Sequence, residues 1–336
     1  MNLTWRTVNA ITHGIHATRG HMNLTWRTVN AIPDGIHVTR DHMNLSLETV
    51  NAIPGRIHAT RDRMNLIWKT VNAIPHRISP IPSYVYNRAR MSNAIPPHPP
   101  LSDYYDDASK RERFVRDIFD ETAEWYDAII SMLSFGSGNR YRRDALVRAG
   151  VKSDADVLDL ATGTGVVARA ASLLGAEVIG ADASIGMLRA GKSSAPKVQA
   201  KGESLPFRSA SFDFLTIGYA LRHFADLRTL FIECRRVLRP GGTILVLEIT
   251  PPRSRVGYAA LRFHLNRVVP TLARLRSGSA AAKKLMHYYW DTIDACVPPD
   301  TILAALRDAG FGDAKRHVEL GTFSEYTANA TPNAPL

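Results

Sequence analysis

The chain has 336 residues, 45% of them hydrophobic, and a formal charge of +11, enough apolar material for a substantial core in one or two domains. Its two cysteines, Cys234 and Cys296, exclude a disulfide framework or a cysteine metal site. Residues 1–90 hold eleven Lys and Arg against four Asp and Glu, so +7 of the charge lies there and +4 on all the rest. No basic strand interleaved with aromatics and no recognition helix accompanies it, so a nucleic-acid partner is not expected.

The first hundred residues repeat with a period of 21: Met1, Met22, Met43 and Met64 each begin Met-Asn-Leu, and Asn9, Asn30, Asn51, Asn72 and Asn93 are each followed by Ala-Ile. Such a period can mark a solenoid. Here the units are poor in apolar residues, and Pro33, Pro54, Pro75 and Pro96 interrupt them. Proline breaks a helix, and so little burial does not offset the ordering entropy. Residues 1–100 are therefore expected to form tandem repeats and a proline-rich linker without a fold, the product of tandem duplication. A transit peptide or a basic lipid-touching arm is the alternative. Ile95-Pro96-Pro97-His98-Pro99-Pro100 reads as a stiff spacer, and Met91 as an alternative start. A domain over 101–336 follows.

In that domain, Phe114, Ile118, Phe119, Ala123 and Tyr126 recur at helical spacing and predict a helix over about 109–131. Strands are then expected at 155–160, 177–181, 197–200, 212–218 and 243–249, with helices near 165–174, 184–192 and 226–238. This alternation implies a parallel sheet covered on both faces. Residues 252–290 read as a lid before a helix at 299–309. No apolar run approaches the ~18 residues of a membrane span. With no charged start leading into an apolar core, a cytoplasmic protein is expected, at most peripheral to a membrane.

Residues 157–165, Val-Leu-Asp-Leu-Ala-Thr-Gly-Thr-Gly, form an apolar strand and a small-residue turn, and the run Val178-Ile179-Gly180-Ala181 ends on Asp182. Gly163 and Gly165 let the backbone turn sharply and approach a ligand, and Asp182 stands where a carboxylate accepts from ribose hydroxyls. A tight strand-to-helix turn alone would also favour these glycines. The third position of the dinucleotide pattern is Ala168, however, and Asp159 precedes the loop. The motif resembles that of the class I S-adenosylmethionine-dependent methyltransferases.

Further motifs narrow the resemblance. Glu203-Ser204-Leu205-Pro206-Phe207, Ser211-Phe212-Asp213 and Leu221-Arg222-His223 precede Arg236-Val237-Leu238-Arg239-Pro240-Gly241-Gly242 and the strand ending on Glu248. Upstream lie Val115, Phe119-Asp120, Ala123, Tyr126-Asp127 and Ser134-Phe135-Gly136; downstream lie Phe263-His264, Pro270 and Ala309-Gly310-Phe311. Over about 115–321 the chain resembles the UbiE-type C-methyltransferases of ubiquinone and menaquinone biosynthesis. The resemblance implies an α/β fold: a Rossmann-like class I methyltransferase sheet with N-terminal helices and an inserted helical lid. The family's last antiparallel strand is poorly matched, because Phe323-Ser324-Glu325-Tyr326-Thr327 runs quickly into Pro332.

The resemblance also assigns roles. S-adenosylmethionine is the implied cofactor, with Asp159 ordering the loop Ala161–Gly165 and standing second near the methionine amino group, Thr164 against the methionine end, and Asp182 on the ribose. The adenine-contacting pair falls on Lys201-Gly202, where the family has Asn or Asp followed by Ala, so only backbone contact carries over. Gly218 stands where the family often has serine. The acceptor is a ring carbon of a hydroquinone, a poor nucleophile until the adjacent phenol is deprotonated. Arg222 could hold the phenolate and His223, in place of asparagine, could take the proton, with Tyr126 beside them. The structural alternatives are a packing aromatic at Tyr126 and a capping or surface histidine at His223. Asp120 and Asp127 line the substrate entrance or act as solvated caps. No metal-ligand spacing occurs, and the reaction needs no metal.

His223, Lys201 and Ile130 depart from the family pattern. Two alternatives therefore stay open: a methyltransferase of the same fold on another small molecule, and a catalytically silent cofactor-binding subunit of a biosynthetic complex. A homo-oligomer is left open too. Between Glu248 and Asp291 there is no acidic residue but there are six arginines and two lysines, with apolar residues between them. That stretch reads as a surface for anionic lipid, or as a lid whose arginines are merely solvated.

Overall fold

The computed structural model describes residues 15–18, 21–32, 35–46, 94–105, 107–133 and 138–331. Ser134, Phe135, Gly136, Met91, Pro332 and most of the repeat lie outside them. The chain divides into two units, 1–76 and 77–336.

In the first unit, β1 (Ile15–Thr18), β2 (His21–Ile32) and β3 (Gly35–Ser46) pair antiparallel in that order. Over these residues the structure has strands where no fold was expected. The Thr-, Val- and Ile-rich half of each repeat suits a pleated ladder, and its neighbour supplies a ready partner.

The second unit begins with the segment 94–105. The proline stretch read as a stiff spacer is fastened down: Ile95 N–H donates to Asp226 Oδ1 at 2.7 Å, and the Ile95 and Pro97 carbonyls accept from the amides of Leu227 (3.0 Å) and Val297 (2.8 Å). Pro97 and His98 are buried. Two helices follow, α1 (Arg111–Leu133) and α2 (Gly138–Arg148). The sheet comprises β4 (Asp156–Leu160), β5 (Glu177–Asp182), β6 (Lys197–Gln199), β7 (Phe212–Gly218), β8 (Leu238–Ile249), β9 (Phe311–Glu319) and β10 (Phe323–Ala330). Its order is β6-β5-β4-β7-β8-β10-β9. β4 to β8 are parallel, and β10 runs antiparallel to both neighbours. Val157, Leu158, Leu215 and Ile217 are fully buried, as strands covered on both faces require. The covering helices α3 (Val166–Ser172), α4 (Ile185–Ala190), α5 (Leu227–Val237) and α9 (Pro299–Asp308) sit where helical patterning was expected.

Two details correct the sequence reading. β8 starts at Leu238 where a strand from 243 was expected, and Pro240-Gly241-Gly242 is a bulge within it: Phe212 pairs with Leu238 and Phe214 already with Thr243. The last strand is complete. β10 pairs with β8 from Phe323↔Ile249 to Asn329↔Thr243. Its buried Glu325 is neutralised by Arg148 of α2, whose Nη2 lies 2.5 Å away.

The lid expected at 252–290 is α6 (Arg255–Phe263), a π-helical turn (His264–Val268), α7 (Val269–Ser277) and α8 (Ala280–Asp294). Pro270 has no N–H for the carbonyl of Asn266, which accounts for the break in the ladder. Leu265, Val269, Leu285, Met286, Tyr288, Tyr289 and Ile293 form one core with Ile118 and Ile129 of α1. Among the described residues, no helix is long and apolar enough to cross a membrane.

Candidate cofactor and acceptor site

The turn after β4 places Ala161, Gly163 and Gly165 at φ of 53°, 56° and 83°. At Gly165 a Cβ would stand 2.5 Å from Ser193 Cβ, so the position excludes any side chain. Asp159 holds the turn from inside. Its Oδ2 accepts from Thr162 Oγ1 (2.5 Å) and the Ala168 amide (3.0 Å), and its Oδ1 from Thr216 Oγ1 (2.6 Å). Burial pushes its pKa up, and the three donors pull it back.

Asp182, at the carboxyl end of β5, accepts from the amides of Gly163 and Ser184, each at 2.8 Å. Burial raises its pKa to about 6, against those two bonds. A carboxylate offers about four lone-pair positions, so these two bonds leave room for ribose hydroxyls.

α1 is stitched to the same loops. Asp127 Oδ1 accepts from Thr164 Oγ1 (2.5 Å), while Asp120 Oδ1 accepts from Ser184 Oγ (2.5 Å) and the Gly186 amide (2.9 Å) at the start of α4. Both carboxylates join elements together, where the sequence suggested an entrance or solvated caps.

Farther along the carboxyl edge, Lys201 is exposed and its Nζ lies 2.7 Å from Glu112. Gly202 is buried, and a Cβ there would lie 2.3 Å from the Phe224 ring. At Gly218 a Cβ would meet Val167 Cγ2 at 2.8 Å. Positions 202 and 218 can thus offer a ligand only backbone, as expected.

After β7, a 3-10 turn over Leu221–His223 carries Arg222 and His223, the residues expected at the methyl acceptor. Arg222 is fully buried; its Nη1 donates to Glu248 and its Nε to Thr292 Oγ1 at 3.3 Å, while Tyr289 lies under the guanidinium at 4.8 Å. The charge read as a phenolate clamp is therefore already matched by Glu248, at no surface a substrate reaches. His223 packs edge-on to Phe119 (5.2 Å) and stacks on Tyr288 (5.5 Å), and Tyr126 packs edge-on to Phe119 (5.8 Å). His223 Nδ1 lies 3.4 Å from Tyr288 Oη, and Nε2 is buried with no hydrogen bond. Burial, then the charges of Arg222, Arg111 and His98, hold its pKa well below 6.5. The imidazole is neutral at physiological pH, which makes it a weak base.

Sequence reasoning missed four residues. His98 is buried with its pKa lowered to about 4 by burial and Arg111, and its Nδ1 contacts the Pro99 carbonyl at 2.6 Å. Arg111 Nη2 bridges His98 Nε2 and the carbonyl of Arg222. Glu248 accepts from Arg222 and from the Leu221 amide at 2.8 Å. Arg142 in α2 lies over the Tyr219 ring at 5.3 Å. A signal existed for one of them: Gly138, Arg142, Ala145 and Leu146 are the buried residues of α2, at the spacing of one helix face.

A strand order with one antiparallel strand inserted near its end, a glycine turn after β4 and a carboxylate closing β5 define a Rossmann-like methyltransferase. The model of the ubiE/COQ5 methyltransferase family matches residues 107–325, and the chain belongs to that family. It is 36% identical over 203 residues to the demethylmenaquinone methyltransferase of Thermus thermophilus, covering 58% of this chain and 91% of the relative. It is 32% identical over 209 residues to the ubiquinone/menaquinone biosynthesis C-methyltransferase UbiE of Pseudoalteromonas translucida, covering 59% and 82%. Among solved structures it is similar to phosphoethanolamine N-methyltransferase 2 of Haemonchus contortus (TM-score 0.48, 18% identity, 65% of this chain and 60% of that one). The enzyme is an S-adenosylmethionine-dependent methyltransferase, and the turn and the Asp182 carboxylate fit that cofactor.

Proposed function

We propose that this enzyme methylates a ring carbon of a quinol precursor, of the polyprenyl benzoquinol or demethylmenaquinol type. The observation that carries this reading is the aromatic cluster around His223. Phe119 and Tyr126, both only partly buried, offer flat apolar surface for a ring, while the buried Tyr288 and Tyr289 back His223, which lies in the positive field of Arg222 and Arg111. Burial is the larger cause of the neutral imidazole; the field of Arg222 and Arg111 adds to it and also favours a phenolate beside it. We assign the hydrogen to Nε2, with Tyr288 Oη 3.4 Å from Nδ1, so that His223 would donate to the phenolate oxygen and is not its base. Arg222 acts through the turn it anchors. Bound S-adenosylmethionine supplies an electrophilic methyl on a sulfonium. Asp182 and the backbone at Gly202 and Gly218 hold it, and Asp159 keeps the loop in shape. The test is transfer to demethylmenaquinol and to a polyprenyl benzoquinol, with the product bond assigned by NMR. A new carbon–methyl bond supports the reading; methylation at oxygen, or no transfer to either acceptor with cofactor bound, refutes it.

The lid also supports contact with anionic membrane. One apolar side faces α1, yet Val256 (81% exposed), Phe263 (64%) and Leu275 (77%) lie outside. Arg262, Arg267 and Arg274 are exposed among them. Exposed apolar anchors between arginines are what a helix on a lipid surface needs, each cation near anionic lipid contributing about 1 kcal/mol. Co-sedimentation with anionic vesicles should fade with added salt and be abolished by reversing the charge of those three arginines. Unchanged partitioning of that variant would refute the contact.

A further inference from the structure

Arg142 is 94% buried by its 6% exposure, on the inner face of α2. Its charge reaches Asp159, Tyr126 and Tyr219 and favours the ionised form of each. Among the described residues, however, the guanidinium makes no hydrogen bond and no ion pair; its contact is the face of Tyr219. The nearby carboxylate, Asp159, is engaged by Thr162, Thr216 and the Ala168 amide. The fold's other buried arginines have polar partners: Arg222 has Glu248, Arg235 has the carbonyls of Gly310 and Thr331, and Arg111 has His98. A buried cation without an anion is costly, so a single exception calls for a ligand.

The site's polarity says which one. Asp182 ends β5, and Lys201-Gly202, assigned to the adenine by the resemblance, lies beyond it on the β6 side. The other end of the cofactor therefore extends the opposite way, over the ends of β4 and β7. Asp159 stands on β4 and Tyr219 directly after β7, and these are the groups Arg142 faces. We propose that Arg142 binds the α-carboxylate of the methionine moiety of S-adenosylmethionine, and of S-adenosylhomocysteine after transfer. A guanidinium fork matches a carboxylate by two parallel hydrogen bonds. Helix α2 thereby becomes part of the cofactor site, and the empty protein carries an uncompensated charge that the cofactor neutralises.

The test needs no methyl acceptor, so its outcome is independent of the quinol reading. The full chain and Arg142→Met are titrated calorimetrically with S-adenosylhomocysteine and with 5′-methylthioadenosine, which keeps the adenosine and thioether but lacks the amino-acid tail. The variant should bind S-adenosylhomocysteine about tenfold or more weakly, the size of a lost charged hydrogen bond, and methylthioadenosine within about twofold of the parent. Arg142→Lys should fall between. The ligand-free variant should melt no lower than the parent, since an unpaired buried cation has been removed. Equal loss for both ligands, or unchanged S-adenosylhomocysteine affinity, overturns the assignment. So does a lower melting temperature of the ligand-free variant, which marks a structural arginine. If Arg142→Met proves insoluble, the parent and Arg142→Lys decide the question. A parent that binds S-adenosylhomocysteine no more tightly than methylthioadenosine, or an Arg142→Lys that matches the parent on both, overturns it equally.

Discussion

Replacing Glu248 by alanine should destabilise the catalytic domain far more than an ordinary surface carboxylate would. Glu248 is 2% exposed and accepts from three donors: Arg222 Nη1, the Leu221 amide at 2.8 Å and the Ile249 amide at 3.2 Å. The substitution leaves a fully buried guanidinium without its anion and the amide that opens the 3-10 turn without an acceptor. Breaking a buried pair from one side costs about 3–5 kcal/mol. At roughly 2–4 °C per kcal/mol for a domain of this size, the melting temperature should fall by about 6–20 °C. Removing both charges, with Arg222→Met and Glu248→Leu together, should recover most of that loss, because the desolvation cost disappears along with the attraction. Urea unfolding followed by circular dichroism on the full chain, for both singles and the double, forms the cycle that isolates the pair. A loss below about 1 kcal/mol for Glu248→Ala would place the pair in the range of exposed ion pairs. That result, or a double variant as unstable as the two singles added, would refute the buried-pair reasoning.

Three further outcomes follow from the geometry. Asp182 has its folded pKa raised to about 6, so below that pH it is protonated and a poorer acceptor for ribose hydroxyls. S-adenosylhomocysteine affinity should fall as pH drops through 6, Asp182→Asn should flatten that dependence, and titration from pH 5 to 8 checks both. A protein starting at Met91 should melt and turn over like the full chain, since the bonds of Ile95, Pro97 and His98 are kept; one starting at Ser102 should lose about 2–5 kcal/mol at 0.5–1.5 per hydrogen bond plus the lost burial, read by urea unfolding. At Gly202 a Cβ would lie 2.3 Å from Phe224 Cε1 and 3.0 Å from Leu230 Cδ1, so Gly202→Ala should cost about 1–3 kcal/mol and weaken cofactor binding, both measurable by melting with and without S-adenosylhomocysteine.

What could be read in the sequence was what is local. β4, the turn and β5 announce themselves by an unbroken apolar run and by glycines whose backbone conformation is their own property. The ordering role of Asp159 was legible because carboxylate and turn lie within nine residues along the chain. What stayed hidden depended on distant partners. Phe323–Ala330 read as a poor match to a last strand because nothing nearby shows that Glu325 meets Arg148, 177 residues away, inside a central strand. The prolines around His98 signalled stiffness but not that Asp226 and Val297 would fasten them. Arg222 invited a catalytic reading because its motif carries no trace of Glu248, 26 residues on.

The two halves of the site differ in where their residues come from. The groups assigned to the cofactor, Asp159, Gly163 and Asp182, stand on β4, β5 and the turn between them. Those of the proposed acceptor side come from elements added around the sheet. His98 belongs to the N-terminal segment, Arg111, Phe119 and Tyr126 to α1, and Tyr288, Tyr289 and Thr292 to α8. They converge on one short turn: Arg111 holds the carbonyl of Arg222, Thr292 takes its Nε, and Tyr288 stacks on His223. A substitution in α8 that shifts Tyr288 or Thr292 therefore acts on His223 without touching the glycine turn, so it should alter acceptor use and leave cofactor affinity intact. Exchange of asparagine for histidine at position 223 is tolerable in such an arrangement. The imidazole is enclosed by aromatic faces and kept neutral by burial and its neighbouring charges, and among the described residues its Nε2 has no hydrogen-bond partner.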